Sequence, residues 1–303
     1  MTRAASDTSS SRAAASALAA AGLDPDEVAA LVRAALAEDL GDTGDITSAA
    51  TVPADALASA SYVSRQPGTV AGLPVLAAMV DLALSGATLT IPARDGLSIV
   101  PGDVLARVTA PAREMLALER TSLNLLGHLC GVATLTRAWV DAVDGTGARI
   151  RDTRKTLPML RALDKYAVRC GGGVNHRRGL DDAVLIKDNH VAAAGGVAAA
   201  LSAVRTAYPD RDLVVQVEVD TLDQLDEALA YRAPQVLLDN FSTQALREAV
   251  RRTRALAPAT MLEASGGLSL DRAREVAETG VDFLAVGALT HSAPTLDIGL
   301  DTD

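Results

Sequence analysis

The chain has 303 residues, enough for one large domain, or a large domain with a smaller companion, built around a sizeable core. Acidic residues outnumber basic ones 38 to 28, the net charge is −10, and aromatic residues make up 2% of the sequence. A surface of that sign repels phosphate backbones and offers few rings for base stacking, which excludes nucleic-acid binding as the main role.

Taken in chain order, residues 1–22 begin with a Ser- and Ala-rich stretch and read as a disordered tail. Asp24 and Pro25 supply the N-cap and first-turn residue of a helix over 24–40, which the loop Gly41-Asp42-Thr43-Gly44-Asp45 ends. Short alternating stretches at 58–64, 69–73, 88–91 and 104–108, split by Gly and Pro, predict a small, mainly antiparallel sheet with one helix over 74–84. A long proline-free helix follows over 114–143, expected to break near Gly127 or Gly131.

After Gly147 the rhythm changes. Strands are predicted at 148–151, 183–186, 213–219, 235–238, 261–263 and 283–286, with helices at 157–168, 191–207, 222–230, 243–256 and 269–278. Strand and helix alternating about six times point to a parallel sheet closed or nearly closed into a barrel. The fold class is therefore α/β: an incomplete, about six-stranded α/β barrel over 147–290, preceded by an N-terminal α+β sandwich domain over 23–146 that includes the long helix. Residues 291–303 are expected to pack back on the N-terminal domain. No stretch reaches the roughly 18–20 strongly apolar residues of a membrane span.

In such barrels the active site forms at the C-terminal ends of the strands, and the residues there make a coherent set. They are Asp152-Thr153-Arg154-Lys155-Thr156, Lys187-Asp188-Asn189-His190, Glu218, Asp239-Asn240, Glu263-Ala264-Ser265-Gly266-Gly267 and Gly287. Between Arg151 and Lys187 nine Lys or Arg face four Asp, a positive region on an acidic chain that would concentrate a multiply anionic small ligand. The chain keeps only three lysines, Lys155, Lys165 and Lys187, where 25 other basic residues are arginine, and Lys165 reads as the incidental one.

Glu218 and Asp239 end consecutive strands and could hold Mg²⁺, accept hydrogen bonds from ribose hydroxyls, or simply pair with the cations opposite. Ser265-Gly266-Gly267 and Gly287 lie in the last two strand-to-helix turns, where backbone N–H groups can approach a phosphate, and His291 follows the second. His176, beside Arg177 in a Gly-rich loop, reads as a ligand contact, His190 as a capping or packing residue and His128 as core. Arg161 and Arg169 read as structural or surface residues. Cys130 and Cys170 lie far apart with no metal spacing and receive no role, so a reducing cytoplasm is the expected setting.

Together these segments carry a resemblance. Glu38-Asp39-Leu40-Gly41, Gly44-Asp45-Ile46-Thr47-Ser48 and Arg120-Thr121-Ser122-Leu123-Asn124 are joined by the Asp152–Thr156 run, His176-Arg177 with Gly179-Leu180, and Ile186-Lys187-Asp188-Asn189-His190. With Glu218-Val219, Leu238-Asp239-Asn240 and Ala264-Ser265-Gly266-Gly267, they make the chain from about Leu36 to Thr295 resemble the quinolinate phosphoribosyltransferase family. That resemblance implies transfer of phosphoribosyl from phosphoribosyl pyrophosphate (PRPP) to quinolinate with decarboxylation, giving nicotinate mononucleotide, pyrophosphate and CO₂, with Mg²⁺ as cofactor. It further implies that Arg120, Thr153, Arg154, His176, Arg177 and Lys187 bind quinolinate, Arg120 reaching in from the partner of a homodimer or larger assembly. Lys155, Glu218, Asp239, Ser265, Gly266, Gly267, Gly287 and His291 would then bind PRPP. Glu218 and Asp239 would meet the metal, and Lys155, Lys187, Glu218 and Asp239 would form the catalytic set. The residues themselves leave other readings open: a phosphoribosyltransferase for another acceptor such as nicotinate, a relative recruited to metal-oxyanion metabolism, an aldolase using Lys187 as a Schiff base, or a non-catalytic anion binder.

Overall fold

The computed structural model describes the backbone from residue 3 to 302 and side-chain burial from residue 12. It divides into two compact units: the chain up to Arg137 with Leu157–Gly172 and the segment from Ser292, and a second of Ala138–Thr156 with Gly173–His291. The boundary falls inside the long helix, and helix 157–168, expected in the barrel, belongs to the first unit.

In the first unit, α1 (Arg3–Ala20) occupies what read as a tail. An Ala-rich segment has high helix propensity, and burial of Ala14 and Leu18 fixes it, signals that the serines obscured. The predicted cap of α2 (Pro25–Leu40) is present, Asp24 accepting from the backbone of Asp26 and Glu27. Asp45 caps a short helix not foreseen, α3 (Ile46–Thr51), by accepting from Thr47 and Ser48.

Then follow β1 (Leu57–Ser64), β2 (Gly68–Thr69), α4 (Leu73–Ala83), β3 (Thr88–Thr90), β4 (Ser98–Ile99) and β5 (Val104–Pro111). The strand expected at 69–73 is cut short because Leu73 already opens α4. With the C-terminal strand β12 (Ile298–Thr302), β1, β3 and β5 form an antiparallel sheet in the order β12-β1-β5-β3. Asp95 accepts from the N–H groups of Gly72 and Leu73 and from the Tyr166 hydroxyl, so it caps α4 from a distant point in sequence. Burial pushes its carboxyl above the usual range despite those bonds.

The long helix α5 (Ala112–Ala142) runs unbroken through both glycines that were expected to interrupt it. Their function is contact. A Cβ on Gly131 would lie 2.1 Å from the Pro294 carbonyl oxygen, and one on Gly127 would lie 2.9 Å from that of Leu296. Loss of a side chain lets the chain between Ser292 and β12 cross the helix directly. Helix α6 (Arg161–Cys170) also belongs here, its buried Asp164 receiving His128 Nε2 of α5 at 2.6 Å. His128 is thus half-buried and partnered, where packing in the core was expected.

The second unit holds six parallel strands: β6 (Arg149–Arg151), β7 (Val184–Ile186), β8 (Val215–Val219), β9 (Gln235–Asp239), β10 (Met261–Ser265) and β11 (Phe283–Ala285). Their order β6-β11-β10-β9-β8-β7 is cyclic in sequence, a barrel opened between its first two strands, where a single bridge joins Arg151 to Val174. Between strands lie α7 (Asp188–Ala194), α8 (Val197–Ala207), α9 (Leu222–Ala230), α10 (Thr243–Leu256), α11 (Ala273–Ala277) and, last, α12 (Ala288–His291). The helix expected over 191–207 is interrupted at Gly195-Gly196, and 269–278 contains a 3₁₀ turn before α11.

Strand alternation sorts the side chains. Val217, Val219, Leu238, Leu262 and Leu284 are fully buried on the helix-facing side, while Gln216, Glu218, Asp239, Glu263 and Ser265 take the other face.

Gly131→Ala provides a test of the helix crossing. Alanine gains about 1 kcal/mol of helix propensity, but a 2.1 Å approach to a backbone oxygen cannot be relieved by turning a side chain. The expected result is a net loss of about 1–3 kcal/mol by chemical denaturation. Equal or higher stability would show that the 294–296 crossing is not tight.

Candidate active site

At the C-terminal ends of the six strands a cavity of about 420 Å³ is lined by Thr153, Arg154, Lys155, His176, Arg177, Leu185, Lys187, Glu218, Leu237, Asp239, Glu263, Ser265 and Ala285. Nine of the residues singled out from sequence therefore share one wall-to-wall space. A larger cavity of about 820 Å³ in the first unit has Asp81 as its single ionisable lining residue and no cation to receive an anion.

Strand ends and loops place these groups differently. Thr153, Arg154 and Lys155 leave β6 in a turn where Thr153 Oγ1 accepts from the Lys155 N–H at 3.0 Å. His176 and Arg177 come from the loop that bridges β6. Asp152, wholly buried, accepts from the His176 backbone N–H at 2.7 Å and from Asn175 Nδ2 at 2.6 Å, so it ties that loop to the barrel. Lys187 begins α7, whose cap is closed by His190: its Nδ1 accepts from the Lys187 N–H at 3.0 Å.

The charges are crowded. Arg154, Lys155, Arg177 and Lys187 line the cavity, and Arg151 lies beneath it, against three carboxylates. Glu263 is 1% exposed and accepts from Arg151 Nη1 at 2.6 Å. Glu218 accepts from Lys187 Nζ at 2.8 Å, the simple ion pair that sequence had left as one option for it. Burial first, and the neighbouring Arg154 charge second, push the Arg177 guanidinium below its ordinary value, with Asp182 pulling the other way. Arg177 Nη1 donates to the Ala183 carbonyl, but its Nε is buried with no hydrogen-bond acceptor among the described residues. Two guanidiniums held together against desolvation form a receptor for an anion with more than one charged oxygen.

Next to it lies a turn pair. Gly266 has φ 90°, and a Cβ there would sit 2.1 Å from Asn240 Oδ1, while the Asn240 N–H donates to the Ser265 carbonyl. The β9 and β10 turns thus interlock, and only glycine fits between them. Gly287 is flanked by Lys155 and His291, whose Cδ and Nε2 would lie 3.0 and 3.2 Å from an added Cβ. Gly266, Gly267, Gly287 and His291 stand outside the cavity lining. Arg120 belongs to the first unit, exposed on α5.

Glu218 and Asp239 are the two carboxylates at the open rim, and no group of three or more His, Cys, Asp or Glu among the described residues is set to hold a metal. Two carboxylates fit Mg²⁺, which commonly takes the rest of its oxygen ligands from phosphates and water. Sequence reasoning passed over Gln216, and placed Asp152 and Glu263 at the strand ends without giving either a role. The signal was there in the strands: Gln216 and Glu263 interrupt runs of Val, Leu and Ala at inward positions.

Comparison with known proteins agrees with this geometry. Residues 45–130 match the model of the quinolinate phosphoribosyl transferase N-terminal domain, and residues 132–301 that of the C-terminal domain. The chain is 55% identical over 272 residues to a nicotinate-nucleotide pyrophosphorylase (carboxylating) of Mycobacterium leprae, covering 89% of this chain and 95% of the relative. It is 39% identical over 265 residues to a probable enzyme of that name from Bacillus subtilis, covering 87% of this chain and 89% of the relative. Among solved structures, the nicotinate-nucleotide pyrophosphorylase of Francisella tularensis superposes with a TM-score of 0.86 at 36% identity, covering 93% of this chain and 98% of that one.

Asp152→Ala should uncouple the loop from the barrel. It removes an acceptor from the half-buried His176 N–H and Asn175 amide, which costs about 1–3 kcal/mol, read as a lowered urea midpoint. An unchanged midpoint would show that Asp152 does not anchor the loop.

Proposed function

The chain belongs to the quinolinate phosphoribosyltransferase family, and from that premise we propose which residues carry each half of its reaction. The enzyme is a pentosyltransferase: it joins quinolinate to PRPP with loss of pyrophosphate and CO₂, giving nicotinate mononucleotide for NAD biosynthesis. Three features of the cavity support the assignment of roles, and the crowding of Arg154 and Arg177 carries it.

Quinolinate is a dicarboxylate, and Thr153, Arg154, Arg177 and Lys187 form its receptor, with His176 at its floor. A bidentate guanidinium suits each planar carboxylate, and two like charges pressed together bind a dianion better than a monoanion. Lys155, between the β6 turn and Gly287, takes the diphosphate of PRPP. The turns at Ser265-Gly266-Gly267 and Gly287 offer backbone N–H groups to its phosphates, with His291 beside them. Glu218 and Asp239 accept from the ribose hydroxyls and hold Mg²⁺, which when bound supplies positive charge to the diphosphate oxygens.

The pyridine nitrogen attacks the anomeric carbon as the C–O bond to pyrophosphate breaks, through a transition state with oxocarbenium character. Departing charge falls to Lys155, while Glu218 and Asp239 face the electron-poor ribose. Positioning and fixed charge are the main contributions of the protein. Quaternisation of the ring nitrogen then stabilises the carbanion left when CO₂ leaves the adjacent carbon, and a proton replaces it. No general base is needed for the transfer.

Arg120, on α5 of the first unit, completes the quinolinate receptor of a partner subunit in a homodimer. No described helix is long and apolar enough to cross a membrane. Burial pushes the Cys130 thiol up to about 12 and the Cys170 thiol up to about 11, and the cytoplasm is the proposed setting.

With Mg²⁺ and PRPP, quinolinate is expected to release one pyrophosphate and one CO₂ per turnover, and nicotinate neither. Turnover of nicotinate, or silence with both, would reject this acceptor. Arg154→Ala should raise the KM for quinolinate and Lys155→Ala that for PRPP, each by roughly 10- to 100-fold for a lost charged hydrogen bond. A reversed pattern would exchange the two subsites. Arg120→Ala and Arg177→Ala proteins, each inactive, should recover part of their activity after subunit exchange, and none should return if Arg120 acts within its own chain.

A further inference from the structure

The polar groups beneath the cavity remain unused by that division of labour. Gln216 on β8 is 2% exposed and Glu263 on β10 is 1% exposed. They converge on His176, whose Nε2 lies 2.7 Å from Gln216 Oε1 and 3.6 Å from Glu263 Oε1. The opposite ring nitrogen is engaged as well: Nδ1 accepts the backbone N–H of Arg177 at 2.7 Å.

These contacts determine the proton. A nitrogen that accepts an N–H carries no proton, so a neutral ring bears its own on Nε2, which donates it to Gln216 Oε1, while Glu263 Oε1 at 3.6 Å lies beyond hydrogen-bond reach. The Gln216 amide is oriented by the same logic, since turning it over would set its N–H groups against the N–H of Nε2. Its amide nitrogen has no hydrogen-bond partner among the described residues. Glu263 does not stand as a lone charge demanding an imidazolium, because Arg151 neutralises it at 2.6 Å.

The chemistry gives this arrangement a purpose. The pyridine nitrogen of the acceptor must keep its lone pair free for the anomeric carbon, and a mobile imidazole N–H in the same cavity would compete for it. Resting on the quinolinate reading above, we propose that Gln216, with Glu263 behind it, is a positioning residue that holds His176 as the neutral Nε2–H imidazole and, through Nδ1, sets the turn that delivers Arg177. His176 then meets substrate with its carbon edge and ring face, and its single N–H points into the barrel.

The first test needs no activity. In protein labelled with ¹⁵N-histidine, the His176 ring, assigned by its loss in His176→Asn, is expected to show a protonated Nε2 and a bare Nδ1 at neutral pH. An imidazolium, or a protonated Nδ1, would overturn the proposal while leaving the acceptor assignment intact. Gln216→Leu should abolish the single-tautomer pattern and lower kcat with quinolinate about tenfold, as expected for a misaligned site, with the KM for PRPP unchanged. A Gln216→Leu protein that keeps the wild-type ring spectrum would also overturn it. Loss of the quinolinate reading would be seen separately, as absence of pyrophosphate release from the wild-type enzyme.

Discussion

An acidic protein that gathers guanidinium and ammonium groups into one cavity has to hold them against their own repulsion. Carboxylates behind and beside the cations do this. Arg151 and Glu263 form a pair exposed by only 12% and 1% at their side chains, directly under the cavity floor. Removing one partner of such a pair costs about 3–5 kcal/mol because the other charge is left buried. Asp152 does the same for the His176 loop through hydrogen bonds to its backbone and to Asn175. Arg154 and Arg177 line the same cavity, and on the proposed assignment they meet the dianion there. The cost of assembling the receptor is carried by the fold, and the ligand finds it already formed.

That arrangement depends on a parallel sheet. Side chains alternate across each strand, so Glu218, Asp239, Glu263 and Ser265 share the inward face while Val217, Leu238, Leu262 and Ala264 pack outward. Register then aligns the rows: Glu263 pairs with both Leu237 and Phe283, and Ser265 with Asp239. The centroid of the Phe283 ring in turn lies 3.7 Å from the Arg151 guanidinium carbon, which gives this half-buried cation a further neighbour besides Glu263 and Gln235. The opening between β6 and β7, bridged only at Arg151 and Val174, is where the Arg177 loop enters. An eight-stranded closed barrel would have a strand in that place; six strands leave room for a loop that carries His176 and Arg177 into the cavity lining.

Much of this was legible in the sequence because strand-end chemistry is local. Residues such as Arg154, Lys187, Glu218 and Asp239 stand next to the apolar runs that define their strands, so their convergence follows once the barrel is recognised. Other features were not local. The glycines of α5 suggested a break, whereas their reason is the crossing of residues 294–296, far away in sequence. Asp95 caps α4 across more than twenty residues, a partnership that no window around Gly72 reveals. The 157–168 segment had the pattern of a barrel helix, but its polar Asp164 answers His128 on α5 and assigns it to the first unit. Glu263 and Gln216 were visible as polar interruptions in apolar strands, yet their meaning required knowing that both face the same imidazole.

The sparing use of lysine can now be given a physical account. Arg fills basic positions throughout the chain, including the buried pair with Glu263 and the carboxylate receptor, where a planar fork is an advantage. Lys155 and Lys187 are retained on the cavity wall, while Lys165 is buried on α6 of the first unit. An ammonium is a compact point charge whose three donors can turn about four carbon–carbon bonds. Lys187 Nζ rests on Glu218 at 2.8 Å with its side chain about half exposed. On the proposed assignment, a torsional change alone would hand the charge to an incoming carboxylate and release Glu218 for a ribose hydroxyl. An arginine locked to Glu218 by two parallel bonds would have to surrender both before either group could meet substrate. At this position the compact, mobile charge is the chemical requirement, and the rarity of lysine elsewhere is what made it visible.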